Sequence, residues 1–215
     1  MTLQDLRDVV FRSLRNRTDL TNTTMDTAIN NAYKTISRGR FILPDQRVIQ
    51  LWFPQLDTMY EQTLSAGTNY YNYPTDCTEV QQVAYEYQSG YYRALLVRSW
   101  YNFIDLDTNH SGTPTWWARR ERKIYLTPWP NVTGRILRIY YYKNPTALVG
   151  STETPVLPDA YHLPIAILAA YDLAVQYHDE NQEKMMQEFL LRLQQLQSDD
   201  QMTVVDAFNR QYPVV

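Results

Sequence analysis

Apolar residues recur every three to four positions at both ends of the chain, which is the spacing of one face of an α-helix. Two such stripes lie within residues 1–40 and two within residues 159–198, so we predict a pair of helices at each end. The four stripes are Leu3, Leu6, Val10 and Leu14; Met25, Ala28, Ile29, Ala32, Tyr33 and Ile36; Ile165, Leu168 and Ala169; and Met185, Met186, Phe189, Leu190, Leu193 and Leu196.

The middle of the chain, residues 58–145, has short runs of β-branched and aromatic residues separated by turn residues, a pattern typical of strands. No helical stretch alternates with these runs, so an antiparallel sheet or small sandwich is expected. The predicted strands are Met59–Leu64 and Asn69–Tyr73, joined as a hairpin across Gly67, then Val80–Tyr87, Tyr91–Val97, Thr115–Arg120, Lys123–Thr127 and Gly134–Lys143.

The predicted fold class is therefore α+β: a helical bundle from the N- and C-terminal helices, with a central antiparallel β-sheet or sandwich insertion. A length of 215 residues suits one domain over residues 1–215. Residues 144–158 form a proline-punctuated linker. Residues 199–215 form a C-terminal tail that becomes apolar, either a docking arm or a short strand that closes the chain's own sheet.

Composition adds one unusual feature, a total of 18 tyrosines and 5 tryptophans. Twelve of the tyrosines lie between Tyr70 and Tyr142, within the predicted β region. Binding surfaces favour tyrosine because it joins a rigid apolar ring to a hydroxyl, but strands favour it too. The sequence leaves both explanations open. The net charge of −3 argues against a protein that coats nucleic acid.

The compartment is indicated by what the sequence lacks. A single cysteine, Cys77, excludes an intramolecular disulfide framework and favours a reducing compartment. The first residues carry charges and no apolar core of a signal peptide. No apolar run approaches the roughly 20 residues that span a bilayer. We expect synthesis in the cytoplasm and no membrane partner.

The sequence contains no recognisable catalytic constellation. Phosphate-binding glycine loops, nucleophile elbows and paired metal-binding histidines are missing, and His162 and His178 are too far apart to form a helical metal pair. His110 beside Asp105 and Asp107 gives a weak hydrolase hypothesis, although a solvated loop is the simpler explanation. We predict no enzyme activity, no cofactor and no metal site, and a structural or incidental role for Cys77 in place of a nucleophile.

The richest local signal lies in residues 116–123, where two tryptophans adjoin four cations. Such a segment can stack bases and neutralise phosphates, or it can form a charged hairpin whose tryptophans pack on a sheet. The acidic chain favours a docking surface for a protein over nucleic-acid recognition. The candidate tail- or subunit-interface residues are Trp116, Trp117, Arg119, Arg120, Arg122 and Lys123.

Proline and aromatic residues recur in a set order through residues 20–197. The motifs are Tyr73-Pro74-x-Asp76, Gly112-x-Pro114, Ile124-Tyr125-Leu126-Thr127-Pro128-Trp129-Pro130, Ile139-Tyr140-Tyr141-Tyr142-x-x-Pro145 and Pro155-x-Leu157-Pro158-Asp159-x-Tyr161. In this order the chain resembles the head-to-tail adaptor (neck, or connector) proteins of tailed bacteriophages, including the podophage tail tubular protein A group.

The resemblance implies a structural protein of the virion neck. Such proteins form a ring, commonly a dodecamer, between the portal protein and the tail or nozzle proteins, and genomic DNA passes through the lumen without sequence-specific contacts during packaging retention and ejection. The chain terminus often docks on the portal. The implied portal-docking residues are Val204, Val205, Phe208, Tyr212, Val214 and Val215.

Three functions therefore compete. A virion neck subunit is the leading hypothesis, because it accounts for both the aromatic surfaces and the lack of catalytic groups. A carbohydrate- or ligand-binding β module comes second, since exposed aromatic rings also suit sugars. A hydrolase that uses Asp105, Asp107 and His110 comes last.

Overall fold

A computed structural model describes residues 1–15, 17–42, 48–106 and 110–211, and within these not the side chains of residues 42, 50 and 197–211. The chain divides into two compact units. The first, called here the helical unit, comprises Met1–Gln55 and Pro145–Val215, and the second, the β unit, comprises Leu56–Asn144. The predicted α+β class is confirmed. That the chain acts as one adaptor domain stays a prediction.

The elements follow the predicted order of helices, strands and helices. They are α1 (Leu3–Ser13), α2 (Asn22–Ser37), β1 (Arg40–Ile42), β2 (Val48–Gln50), β3 (Asp57–Thr63), β4 (Tyr70–Asn72), β5 (Cys77–Gln88), β6 (Tyr91–Ala94), β7 (Leu96–Val97), α3 (Trp100–Ile104), β8 (Ser111–Gly112), β9 (Trp116–Arg120), β10 (Lys123–Thr127), β11 (Trp129–Pro130), β12 (Ile136–Lys143), α4 (His162–Gln176) and α5 (Gln182–Gln211), with 3₁₀ turns at Pro54–Leu56 and Asp159–Tyr161.

In the helical unit, α4 is the central helix. Most of its side chains are buried, and α1, α2 and α5 all pack against it. The apolar stripes of α1 and α2 face inwards as predicted. Thr2 caps α1 in a reciprocal pair with Asp5, and Thr21 caps α2, so side-chain oxygens satisfy backbone N–H groups that the first helical turn leaves open.

The β unit is a small sandwich, as the sequence allowed. One sheet has the strand order β4-β10-β9-β7 and the other β3-β12-β5-β6. Their inner faces share one apolar layer, which contains Leu64, Tyr71, Cys77, Val80, Val83, Tyr85, Leu95, Trp117, Ile124, Leu126, Leu137, Ile139 and Tyr141. On β12, Leu137, Ile139 and Tyr141 alternate inwards as predicted.

The predicted hairpin across Gly67 is wrong. β3 pairs with β12 and β4 pairs with β10, so the two strands belong to different sheets. The predicted strand Tyr91–Val97 is likewise divided, because β6 pairs with β5 whereas β7 runs parallel to β9. Alternation along a strand indicates which side chains share a face, but it does not name the partner strand. The short pair β1–β2 and helix α3 were not predicted.

Helix α5 does not end near residue 198, where the sequence predicted the start of a separate tail, but continues to Gln211. Residues 197–211 contain neither proline nor glycine, so nothing in them removes a helical hydrogen bond, and Pro213 is the first residue that does. Val204, Val205 and Phe208 therefore lie on helical backbone. Tyr212, Val214 and Val215 lie outside the described residues.

Gly39 offers a test of the junction between α2 and β1. Its φ of +67° is left-handed, and a Cβ there would overlap the carbonyl oxygen of Leu51, whose N–H bonds to the Gly39 carbonyl. Gly67 has a φ of +76° with open space around it. Gly39→Ala should lower the free energy of unfolding by more than about 3 kcal/mol, and Gly67→Ala by only about 1–2 kcal/mol. Urea unfolding checks both; equal losses would contradict the close approach.

Glu86 offers a second test, through pH. Its buried carboxylate accepts hydrogen bonds from Gly90 N, at 2.9 Å, and Ile136 N, at 3.0 Å. The bond from Gly90 leads the causes that lower the pKa of Glu86. A lowered folded-state pKa contributes stability that is complete above the unfolded-state value of about 4.3 and is lost as pH falls through the folded-state value.

Acidification from about pH 5 to pH 3 should therefore destabilise the wild-type protein more than Glu86→Gln, which has no carboxylate to protonate. The matched control is Glu79→Gln, because the Glu79 side chain is exposed and forms an exposed ion pair with Arg119. Thermal melts across this pH range measure the difference. Identical pH profiles for the wild type and Glu86→Gln would show that the Glu86 carboxylate contributes nothing.

Candidate partner-binding surfaces

The predicted interface segment forms the β9–β10 hairpin. Its two turn residues, Glu121 and Arg122, have φ of 50° and 57°, the left-handed pair that matches the twist of a two-residue hairpin but that glycine and asparagine usually supply. Hydrogen bonds hold this strained turn: Tyr73 N donates to the Arg122 carbonyl at 3.0 Å, and Arg122 Nη2 donates to the Cys77 carbonyl at 3.2 Å. The Arg122 side chain is thus partly committed within the β unit.

The hairpin has two different faces. Trp117 and Ile124 point into the apolar layer, and Trp117 is only 2% exposed. Although the sequence placed Trp117 in an interface, the structure places it in the core, because it directly follows an outward residue on an alternating strand. Arg119 lies at the strand end, where its Nη1 is 3.2 Å from Glu79 Oε1.

The outer face of the hairpin seats cations on aromatic rings. The Arg98 guanidinium lies 4.0 Å from the centre of the Trp116 ring, that of Arg120 lies 4.8 Å from the Trp100 ring, and Lys123 Nζ lies 4.4 Å from the Tyr70 ring. The Trp100 and Tyr125 ring centres are 4.9 Å apart, and those of Tyr70 and Tyr125 5.8 Å. We call these seven residues, 70, 98, 100, 116, 120, 123 and 125, the basic–aromatic face.

A ring contact orients a cation without neutralising it. Arg98 and Lys123 have no carboxylate partner among the residues described, whereas Arg120 Nε lies 3.1 Å from Glu121 Oε1. The basic–aromatic face therefore carries net positive charge. Its rings already contact cations or one another, so they have less free area to stack bases than a single-strand binder needs. The arrangement suits a protein partner better than nucleic acid.

Exposed apolar residues border this face. Tyr101 is 79% exposed and Val97 is 64% exposed, and Leu96 and Ile104 are also exposed. Leu96 and Val97 belong to β7, and Tyr101 and Ile104 belong to α3. The sequence did not predict the helix α3. Apolar side chains grouped beside a charged face are typical of protein-binding surfaces. The sequence signal that could have predicted this helix is Ser99, a residue type that often caps the first turn of a helix, directly after a short apolar run.

The residues considered for chemistry do not form a site in the described part of the chain. Cys77 is buried, and burial raises the pKa of its thiol to about 11, so it is an inert thiol at neutral pH. His162 is buried, with Nε2 2.8 Å from the Leu157 carbonyl oxygen. Of the three residues in the hydrolase hypothesis, Asp105 and His110 lie within the described residues, and Asp107 lies outside them. No cluster of three potential metal ligands occurs among the described residues.

The model of the SU10 adaptor protein family matches residues 1–211. The chain belongs to the SU10 adaptor protein family. This agrees with the expected phage adaptor, and a structural adaptor role fits a chain without a recognisable catalytic constellation. Membership of an adaptor family implies interaction with other virion proteins, for which the exposed surfaces are candidates.

The other comparison found no match: no curated protein matches the chain. Among the described residues, no helix of this adaptor could span a membrane.

The two adjacent tryptophans of the adaptor separate core from surface. Trp117→Ala should lower the free energy of unfolding by about 3–5 kcal/mol, because it opens a cavity in the apolar layer. Trp116→Ala should cost only about 1–2 kcal/mol, from partial burial and the contact with Arg98. Denaturant titration measures both. A larger loss for Trp116 than for Trp117 would reverse the assignment of the two faces.

Proposed function

We propose that the chain is a subunit of a homo-oligomeric ring in the virion neck, which joins the portal protein to the tail and lets genomic DNA pass through its lumen. The observation that carries this proposal is the match to a phage adaptor family along residues 1–211. The resemblance to the podophage tail tubular protein A group adds the expectation of a dodecamer. The ring is assembled from chains made in the host cytoplasm.

A closed ring needs two different surfaces on each subunit, since every copy contacts one neighbour with each. A neck subunit needs further surfaces for the portal and the tail. The basic–aromatic face and its apolar border meet the requirement for one of these protein contacts. Trp116, Arg119, Arg120, Arg122 and Lys123 remain the proposed tail- or subunit-interface residues, and Trp117 supports them from within the core.

Helix α5 is the proposed contact with the portal. Its 30 residues span about 45 Å, whereas the 15 residues of α4, against which it packs, span about 22 Å. Its buried side chains in the bundle include Met185, Phe189 and Leu193. We infer that residues 197–211, the part of α5 beyond the length of α4, serve as a helical docking arm, with Val204, Val205 and Phe208 as anchors and Tyr212, Val214 and Val215 extending it.

Passage of DNA needs weak contacts. A net charge of −3 provides no excess of cations to hold phosphates, and each neutralised phosphate would add a salt-dependent barrier to movement. The proposed DNA partner therefore slides through the lumen without sequence-specific contacts. Low affinity of the purified chain for DNA is a consequence of this role.

The test mixes the purified chain with the portal protein encoded in the same genome. Native mass spectrometry should detect a complex of the two proteins with several copies of this chain. The triple variant Val204→Ser, Val205→Ser and Phe208→Ser should weaken portal binding by at least roughly tenfold, because three apolar anchors are lost.

The matched control changes three polar residues of the same stretch, Thr203→Ala, Asn209→Ala and Arg210→Ala, and should bind like the wild type. Full portal binding by the serine variant would disprove the docking arm alone. A chain that never associates with portal, in any oligomeric form, would disprove the neck function.

A further inference from the structure

The sheet β3-β12-β5-β6 ends in two open edges. No strand among the residues described pairs with the outer side of β3 or of β6. β3 is seven residues long, without proline or lysine, and Met59, next to its central residue, is 43% exposed. On β6, Tyr91 is 60% exposed. Proteins usually protect long edges with charges, proline or a covering element, because an open edge is a template for another strand.

The backbone hydrogen bonds show which groups each edge offers. Leu64 N donates to the Arg135 carbonyl, so on β3 the alternate N–H groups, those of Met59, Glu61 and Thr63, point away from β12. At the other edge Leu95 N donates to the Val83 carbonyl, so the N–H groups of Tyr92 and Ala94 point away from β5. Each edge thus presents a row of donors and acceptors at the usual strand spacing.

Strand direction makes the two edges compatible. The four strands are antiparallel in succession, so β3 and β6 run in opposite directions. If a second copy is placed beside the first in the same orientation, its β3 lies antiparallel to the first copy's β6. A rotation about an axis parallel to the strands does not change strand direction, so β3 of each further copy is again antiparallel to β6 of the copy before it. Because the sheet has four strands, an even number, antiparallel pairing can continue from copy to copy around a ring.

The two edges differ in the charge of the sheet face that points away from the apolar layer. On that face β3 carries Asp57 and Glu61, which contact Gln81 and Arg138 within the copy, whereas the β6 residues on the same face, Tyr92 and Ala94, carry no charge. Two copies of β3 would instead bring four carboxylates together, which disfavours a two-fold pairing of β3 with itself. The charges thus favour a head-to-tail contact.

We propose that neighbouring copies in the ring are joined by antiparallel pairing of β3 of one copy with β6 of the next. The proposal rests on the proposed function as a ring-forming adaptor and names its subunit interface. The contact is heterologous, and its main-chain hydrogen bonds supply the directionality that closes a ring.

Proline at an outward N–H blocks one edge without removing a bond inside the sheet. Met59→Pro blocks β3 and Ala94→Pro blocks β6, with Met59→Thr and Ala94→Ser as controls that keep the N–H group. Analytical ultracentrifugation should find rings for the wild type and both controls, and monomers for each proline variant. An equimolar mixture of the two proline variants should stop at dimers, because each retains the edge that the other lacks.

Rings formed by either proline variant would overturn the proposal, and so would dimers of Ala94→Pro alone, which would show that β3 pairs with itself. Circular dichroism and thermal melting confirm that each variant folds. If a proline variant does not fold, Ala94→Glu keeps the backbone intact and adds a carboxylate to the face on which the next copy carries Asp57 and Glu61. It should raise the concentration needed for rings at least roughly tenfold, and Ala94→Gln should not; an unchanged concentration for Ala94→Glu would contradict the proposal.

The outcome separates the interface from the function. If wild-type rings form and the proline variants form them equally well, the β3–β6 contact is wrong and the ring function stands. Should the wild type be monomeric alone, the same variants are compared after addition of portal protein. A wild type that forms no ring in either condition overturns both the ring and its interface.

Discussion

The apolar layer shared by the two four-stranded sheets is the constraint on which the rest of the β unit depends. Side chains alternate along a strand, so burying Trp117, Ile124 and Leu126 turns Trp116, Lys123 and Tyr125 outwards. In the second sheet, burying Leu137 and Ile139 turns Arg138 outwards, where its guanidinium lies 3.5 Å from the centre of the Tyr92 ring and pairs with Glu61. The core thereby determines which residues remain for partners.

The tyrosines of the β unit fall into two groups, those buried in the apolar layer and those exposed at the surface. Tyr71, Tyr85 and Tyr141 are buried, and the Tyr141 hydroxyl donates to Asp76 at 2.9 Å, so its ring fills the core while its polar end is satisfied. Burial and the hydrogen bond with Asp76 raise the pKa of Tyr141 to about 12, which keeps it neutral. Tyr87 and Tyr91 are exposed, with ring centres 6.4 Å apart. The buried group packs the core, and the exposed group is available for the protein contacts that the proposed function requires.

Helices were predictable where apolar residues repeat at helical spacing over several turns, as in α1, α2 and the first part of α5, and so were β9, β10 and β12, where alternation is clear. Partner strands were not predictable, since β3 and β12 are far apart in sequence and their pairing depends on the shared core. The candidate interface was predicted from the two tryptophans that adjoin four cations in residues 116–123, and its role in binding stays a prediction. The position of Trp117 was missed because two adjacent tryptophans look alike until the core assigns them opposite faces.

Membership of a phage adaptor family leads to the proposed account, in which this chain works by its contacts with other virion proteins. The most direct measurement is a cryo-electron microscopy reconstruction of the neck of the phage that encodes it. The account predicts a closed ring of this chain around the DNA axis, between portal and tail. Density for the chain elsewhere in the particle, or a neck without it, would contradict the account.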